Sequence, residues 1–137
     1  MIDPNAKLLA LLEADTTLVA LVGDRIYAGR DVPPPGYQPK SDGTNNPAIC
    51  FRVRGGPGFD LENATLTPSF QIKCYGSTEL NATTCYRTLV DALHDGSSAD
   101  VLRGIQESVG QLLEEPGTEW PFVLTFFTVH IRAGHGL

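Results

Sequence analysis

Apolar positions along the chain follow two periods. Between residues 5 and 22, Leu8, Leu9, Leu11, Leu12, Leu18, Val19, Leu21 and Val22 recur at helical spacing. Asn5 is the expected cap at the start and Gly23 the expected stop. Asp15-Thr16-Thr17 splits the segment into two short helices, because Asp15 or Thr16 can cap a new start. Arg25-Ile26-Tyr27 reads as a short extended piece. Period two appears over Ala48 to Arg54, with Ile49, Phe51 and Val53 on one face and Cys50, Arg52 and Arg54 on the other. It returns where Phe70, Ile72 and Cys74 alternate with Gln71, Lys73 and Tyr75. These two strands lie close in sequence, which predicts a long antiparallel hairpin. Gly55-Gly56-Pro57-Gly58 would form its tip.

Helical spacing resumes over 79–94 with Leu80, Cys85, Leu89, Ala92 and Leu93, flanked by Tyr86 and Val90. Ser77 or Thr78 can cap this helix, and Asp95-Gly96 ends it. Residues 121–132 give the clearest strand. Val123, Thr125, Phe127, Val129 and Ile131 share one face, while Phe122, Leu124 and Phe126 make the start of the other face apolar too. The segment 101–114 admits two readings. Its apolar spacing suits a helix, but Gly104 and Gly110 weaken one, and a strand over about 105–114 is equally compatible. Residues 133–137 read as a frayed, flexible tail.

Pro33-Pro34-Pro35-Gly36, Pro39, Asp42-Gly43 and Asn45-Asn46-Pro47 exclude helix and central strand over 28–47. A Pro-rich loop this long is uncommon in a compact domain and is usually functional or mobile. Denied internal hydrogen bonds by its prolines and glycines, it is expected to be mobile in the free subunit and ordered in an assembly. The plainer alternative is a surface loop without a role. Together the elements predict an α+β fold in one domain over 1–137. Its sheet is antiparallel or mixed, with about four strands and a long hairpin, and helices pack on one face.

Composition narrows the function. The chain has 137 residues, enough for a core without metal or disulfide support. Its net charge of −6 argues against a general nucleic-acid binder, which needs cations to neutralise phosphate, and against docking on anionic lipid. The three cysteines Cys50, Cys74 and Cys85 contain no CxxC pair, so they match neither a disulfide framework nor a zinc ribbon. The start lacks a basic, apolar signal segment, and no apolar run is long enough to span a bilayer. A reducing cytoplasm is the expected place of synthesis.

Candidate chemistry is thin. His94, His130 and His135 lack HxxxH or HExxH spacing, so no metal site is expected. Cys74 and Cys85 fall on apolar faces, where thiols behave as small hydrophobes. A small enzyme using Cys50 or a histidine remains the alternative to a structural protein. The glycine run at 55–58 lacks the Gly-Lys-Ser/Thr ending of a phosphate loop. Arg52 and Arg54 sit two apart on one strand face, either as a solvated face or as partners for acidic groups of a neighbouring subunit. No catalytic residue and no cofactor is expected.

One pattern goes further. The run Leu21-Val22-Gly23-Asp24-Arg25-Ile26-Tyr27 is followed by the Pro-rich loop and a strand opening at Pro47-Ala48-Ile49. A second strand then ends in Gln71-Ile72-Lys73-Cys74-Tyr75-Gly76 before a helix and a closing β segment. From about residue 7 to 132 this resembles the tail-completion, or tail-terminator, proteins of long-tailed bacteriophages and related prophage particles. The resemblance implies a non-enzymatic virion protein of the tail or neck, assembled in the host cytoplasm. It would form a homo-oligomeric ring, commonly of six copies, at the head-proximal end of the tail tube. There it would stop tube polymerisation and meet the tail-tube protein and the head–tail connector. The sheet would help line a channel through which DNA passes without specific binding. Within the motif, Gly23 would end a helix, Asp24 would hydrogen-bond the turn and Tyr27 would pack. The candidate subunit-interface residues are Arg52, Arg54, Pro33, Pro34, Pro35 and Tyr37.

Overall fold

A computed structural model describes residues 3–41, 43–55, 65–95 and 101–132. The expected glycine tip at 56–58, Gly96 and the tail at 133–137, with His135, lie outside the described residues. The N-terminal pattern folds as α1 (Pro4–Glu13) and α2 (Thr16–Val22). Asp3, rather than the expected Asn5, caps α1. Its carboxylate accepts from the Asn5 amide at 3.0 Å, and Pro4 takes the first helical position, where its missing N–H costs nothing. Asp15 caps α2 by accepting from the Leu18 amide at 2.9 Å. Gly23 ends α2 at φ +60°, a backbone state that favours glycine.

The strands are β1 (Ile26–Ala28), β2 (Lys40–Ser41), β3 (Thr44–Asn45), β4 (Ala48–Gly55), β5 (Thr65–Leu66), β6 (Ser69–Tyr75), β7 (Val101–Glu114) and β8 (Pro121–Arg132). Helix α3 (Glu79–Asp95) lies between β6 and β7. The expected pairing of β4 with β6 is present and antiparallel, with Phe51 opposite Ile72. β6 pairs with β8, and β8 with β7, both antiparallel. β1 pairs with β4 in parallel, so the sheet is mixed. Two-residue β5 extends the β6 side of β8. The main sheet therefore has six strands against the expected four or so. The additions are β5 and β1, each too short to carry a clear period of its own.

The ambiguous segment 101–114 is strand, and Gly110 has a packing role in it. A Cβ on Gly110 would lie 2.6 Å from Tyr86 Cζ and Val123 Cγ1, so glycine is needed where β7 passes beneath α3. The β7 ladder shifts register between Gln106 and Ser108 and again before Gln111. Side chains stitch these bulges in place. Tyr86 Oη accepts from the Gly110 amide at 2.9 Å, and the buried Thr125 hydroxyl donates to Ser108 O at 3.2 Å.

All three helices cover one face of the sheet. Leu8, Leu12, Leu18 and Val22 from α1 and α2, with Cys85, Leu89 and Leu93 from α3, meet Ile49, Phe51, Phe70, Ile72, Val123 and Phe127. No helix among the described residues is long and apolar enough to cross a membrane.

The junction of β6 with α3 is set by Gly76. A Cβ there would fall 2.3 Å from the Ala82 backbone nitrogen, inside the first turn of α3. Neither backbone can retreat, because Gly76 N donates to Pro121 O at 3.2 Å and Ala82 N to Thr78 O at 3.0 Å. We expect Gly76→Ala to lose about 3 kcal/mol of folding stability by overpacking, measured by urea denaturation. A loss under about 1 kcal/mol would show that the junction has slack.

Candidate functional site: the second face of the sheet

The face away from the helices is built by Cys50, Arg52 and Arg54 of β4, Ser69, Gln71, Lys73 and Tyr75 of β6, and Phe122, Leu124 and Phe126 of β8. At one end the Pro-rich segment folds over it. Tyr37 is only 7% exposed and packs with Ala48, Cys50, Tyr75 and Phe122 as a second core cluster. Its ring meets Tyr27, Tyr75 and Trp120 edge-on, at centroid distances of 6.4, 6.5 and 5.4 Å. Edge-to-face pairs of this kind contribute about 0.5–1.5 kcal/mol each beyond the area they bury. The Tyr37 hydroxyl donates to Asn46 O, and Asn46 N donates to Pro39 O at 2.7 Å. β2 and β3 form a short antiparallel ladder inside the same segment. The expectation that 28–47 makes no internal hydrogen bonds is therefore corrected. Its prolines leave enough free amides for a small hairpin.

Beyond the aromatic end, the face is charged. Lys73 Nζ lies 3.3 Å from Asp31 Oδ1 and 3.8 Å from Glu115 Oε2, and 4.9 Å from the Phe122 ring centre. Arg52 Nε is 3.8 Å from the same Asp31 oxygen, which also accepts from Gln71 Nε2. Arg54 lays its guanidinium over Phe126 at 4.0 Å, donates to Ser69 Oγ at 2.9 Å, and lies 3.5 Å from Glu107 Oε2. Ser69 Oγ in turn donates to Glu107 at 2.6 Å. The two arginines thus fall in separate networks, Arg52 sharing Asp31 with Lys73, whose ammonium lies near Phe122, and Arg54 lying over Phe126. In each case the charged head itself lies by the ring and also meets a carboxylate.

The sites expected from sequence are not all alike in position. Arg52, Arg54 and Pro35 are exposed, Pro34 is half-buried, and Pro33 and Tyr37 are buried within this subunit. Lys73, Asp31, Glu115 and Trp120 were absent from that set. Only the alternation at 71–75 placed Lys73 on this face, and nothing local in sequence announced that Asp31 would reach it across the loop. In the turn after α2, Arg25 does the work expected of Asp24. Its Nε donates to Pro47 O at 2.9 Å, tying the start of β1 to the start of β4.

All three thiols are buried, Cys74 and Cys85 on the helix-covered face and Cys50 on the other. Cys50 is 1% exposed beneath the Tyr37 segment, and burial pushes its pKa up to about 12. Burial and the neighbouring Cys85 also push the Cys74 thiol up. Thiols held protonated in this way are poor nucleophiles. His94 lies at the exposed end of α3, while His130 lies on β8 opposite Arg103. Among the described residues, no three His, Cys, Asp or Glu side chains are gathered in a metal-binding arrangement.

No family model and no curated protein matches the chain. Among solved structures, a chain of the "Virion of native gene transfer agent (GTA) particle" shares the fold. The TM-score is 0.60 at 19% identity, covering 93% of each chain.

Asp31 joins the Pro-rich segment to the sheet electrostatically. Partial burial pushes its carboxyl up, but the hydrogen bond and charge of Lys73, then Gln71 and Arg52, outweigh this and hold it below its ordinary 3.8. A depressed acid adds stability that is present above the unfolded value and lost as pH falls through the lower folded value. The Asp31 side chain is 46% exposed, so the gain is about 0.5 kcal/mol after screening. We expect Asp31→Asn at pH 7 to speed proteolysis within residues 29–39 about two- to threefold, the ratio that gain implies. The wild type should match the variant once the pH is well under 3.8. Equal cleavage at pH 7 would show that the aromatic cluster alone holds the segment.

Proposed function

We propose that this protein is a structural subunit of a phage-type virion, a tail terminator. Copies form a ring, commonly of six, on the head-proximal end of the tail tube, where they end tube growth and present a surface to the head connector. The observation that carries this reading is the fold shared with a virion chain of a gene transfer agent over 93% of both chains. It coincides with the tail-terminator pattern in the sequence, whose Gly23–Tyr27 and Cys74–Gly76 runs span the junctions of α2 with β1 and of β6 with α3.

Two features of the molecule suit the role. Among the described residues, the buried thiols of Cys50 and Cys74, held protonated, and the separate positions of His94 and His130 provide no convergent catalytic group, which favours the structural reading over the small enzyme. Its net charge of −6, repeated around a ring, would repel DNA and let it slide past. On this reading the DNA passes through the lumen without specific contacts.

The test is assembly on purified tail tubes, viewed by negative-stain electron microscopy with a gold-labelled subunit. We expect one label cluster per tail, at the end facing the head, and tubes of excess length when the subunit is withheld. Label repeating along the tube would instead make the chain a tube protein. Label on heads lacking tails would make it a head-completion protein.

A further inference from the structure

The sheet ends in two strands whose outer edges pair with no other strand among the described residues, β1 on one side and β7 on the other. β7 is the conspicuous one. It is 14 residues long, and it carries three of the five exposed large apolar side chains among the described residues, Ile105, Val109 and Leu112. Val109 is 84% exposed. Free edges are usually blunted by charge, proline or bulges, because unpaired N–H and C=O groups recruit another strand. The β7 bulges lie before Gln111, whereas Gln111 to Glu114 runs in unbroken register with β8. The regular, unprotected stretch is therefore the end of β7.

The strand directions identify what fits there. β1 runs parallel to β4, and each step from β4 through β6 and β8 to β7 reverses direction. After three reversals β7 runs opposite to β1. A second copy placed at the β7 edge in the same orientation thus presents β1 antiparallel to β7, the better-bonded arrangement. A β7-to-β7 contact would turn the second copy over. Charge does not choose between the two: in the first arrangement Glu114 of β7 comes beside Arg25 but opposite the exposed Asp24, and the choice rests on the head-to-tail contact that a closed ring requires. Arg25 and Arg30 bracket β1, and among the described residues their guanidiniums donate only to carbonyl oxygens. Asp24 beside them is exposed, and Asp31 is engaged by Lys73. On β7, Glu114 is exposed and has no side-chain partner among the described residues.

We propose that β7 of one copy receives β1 of the next, extending the sheet from subunit to subunit, with Tyr27 opposite Gln111 and Ile26 opposite Leu112. Continuing past Tyr27, the stretch from Gly29 to the exposed Val32 runs along the bulged part of β7 towards Val109 and covers the apolar edge. The contact is head-to-tail, and the twist of the sheet turns each added copy relative to the last. The inference rests on the ring reading above and names its interface.

Cysteine cross-linking tests it on the full chain, using a short bismaleimide and the wild type, with its three buried thiols, as control. The double variant Arg30→Cys/Val109→Cys should give a ladder of oligomers, in concentrated solution or on tail tubes. Either single variant should give no ladder alone, and the two mixed should give a dimer. Adding Val109→Lys to a cross-linkable Arg30→Cys/Gln111→Cys chain should cut the ladder by on the order of tenfold or more, because the interface would bury a charge. Its melting temperature should stay unchanged, since residue 109 is exposed in the subunit. Leu80→Lys, 73% exposed on α3, should leave the ladder intact. Self-cross-linking of Val109→Cys, loss of the ladder with Leu80→Lys but not Val109→Lys, or no ladder in either setting would overturn the proposal. A ladder without binding to tube ends would keep this contact and sink the terminator reading, and labelled rings on tubes without a ladder would do the reverse.

Discussion

Strand β8 is apolar on both faces, and that constraint organises the molecule. Val123, Phe127, Val129 and Ile131 are buried by the helices. Phe122, Leu124 and Phe126 point the other way and need a second cover. No helix supplies it. Tyr37 and Trp120 shield Phe122 at one end, and the charged heads of Lys73 and Arg54 lie over Phe122 and Phe126 further along. The Pro-rich segment is thus part of a second, smaller core. Its prolines reduce the entropy lost when it is laid down, because they are already restricted in the unfolded chain.

The same arrangement explains why this face is charged without being open. A cation resting on an aromatic ring loses part of its hydration, so it is favourable only with acceptors at its head. Lys73, 12% exposed at its side chain, has Asp31 and Glu115. Arg54 has Ser69 and Glu107. These acids come from the loop after β1, the turn after β7 and β7 itself, so the networks join elements far apart in sequence. Tyr75 closes one of them by donating to Glu115 at 2.9 Å, and burial together with that carboxylate raises its pKa.

Local rules made much of this legible. The split between α1 and α2 followed from Asp15, the β4–β6 hairpin from alternation, and α3 from its apolar stripe and Thr78, whose hydroxyl accepts from Asn81 N at 3.2 Å. What local rules missed depended on distant partners. β7 looked ambiguous because Gly110 serves contact with Tyr86 and not strand propensity. β1 is three residues long and exists because Arg25 O accepts from Ile49 N at 3.0 Å. Tyr37 read as a loop aromatic available to a neighbour, since its partners Tyr75 and Trp120 lie 38 and 83 positions away. On the second face, sequence supplied the cations and missed the acids that hold them.

The two outer strands also differ in how they are tethered. β7 reaches β8 through residues 115–120, whereas β1 reaches β4 through residues 29–47. Closing a chain loop about three times longer costs roughly 1 kcal/mol more. That deficit falls on a strand of three residues, while β7 spreads its own closure over fourteen. Folding therefore has a natural direction, from the C-terminal hairpin inward. The long strand can form on local contacts, and the short one joins only after the chain has made its widest return.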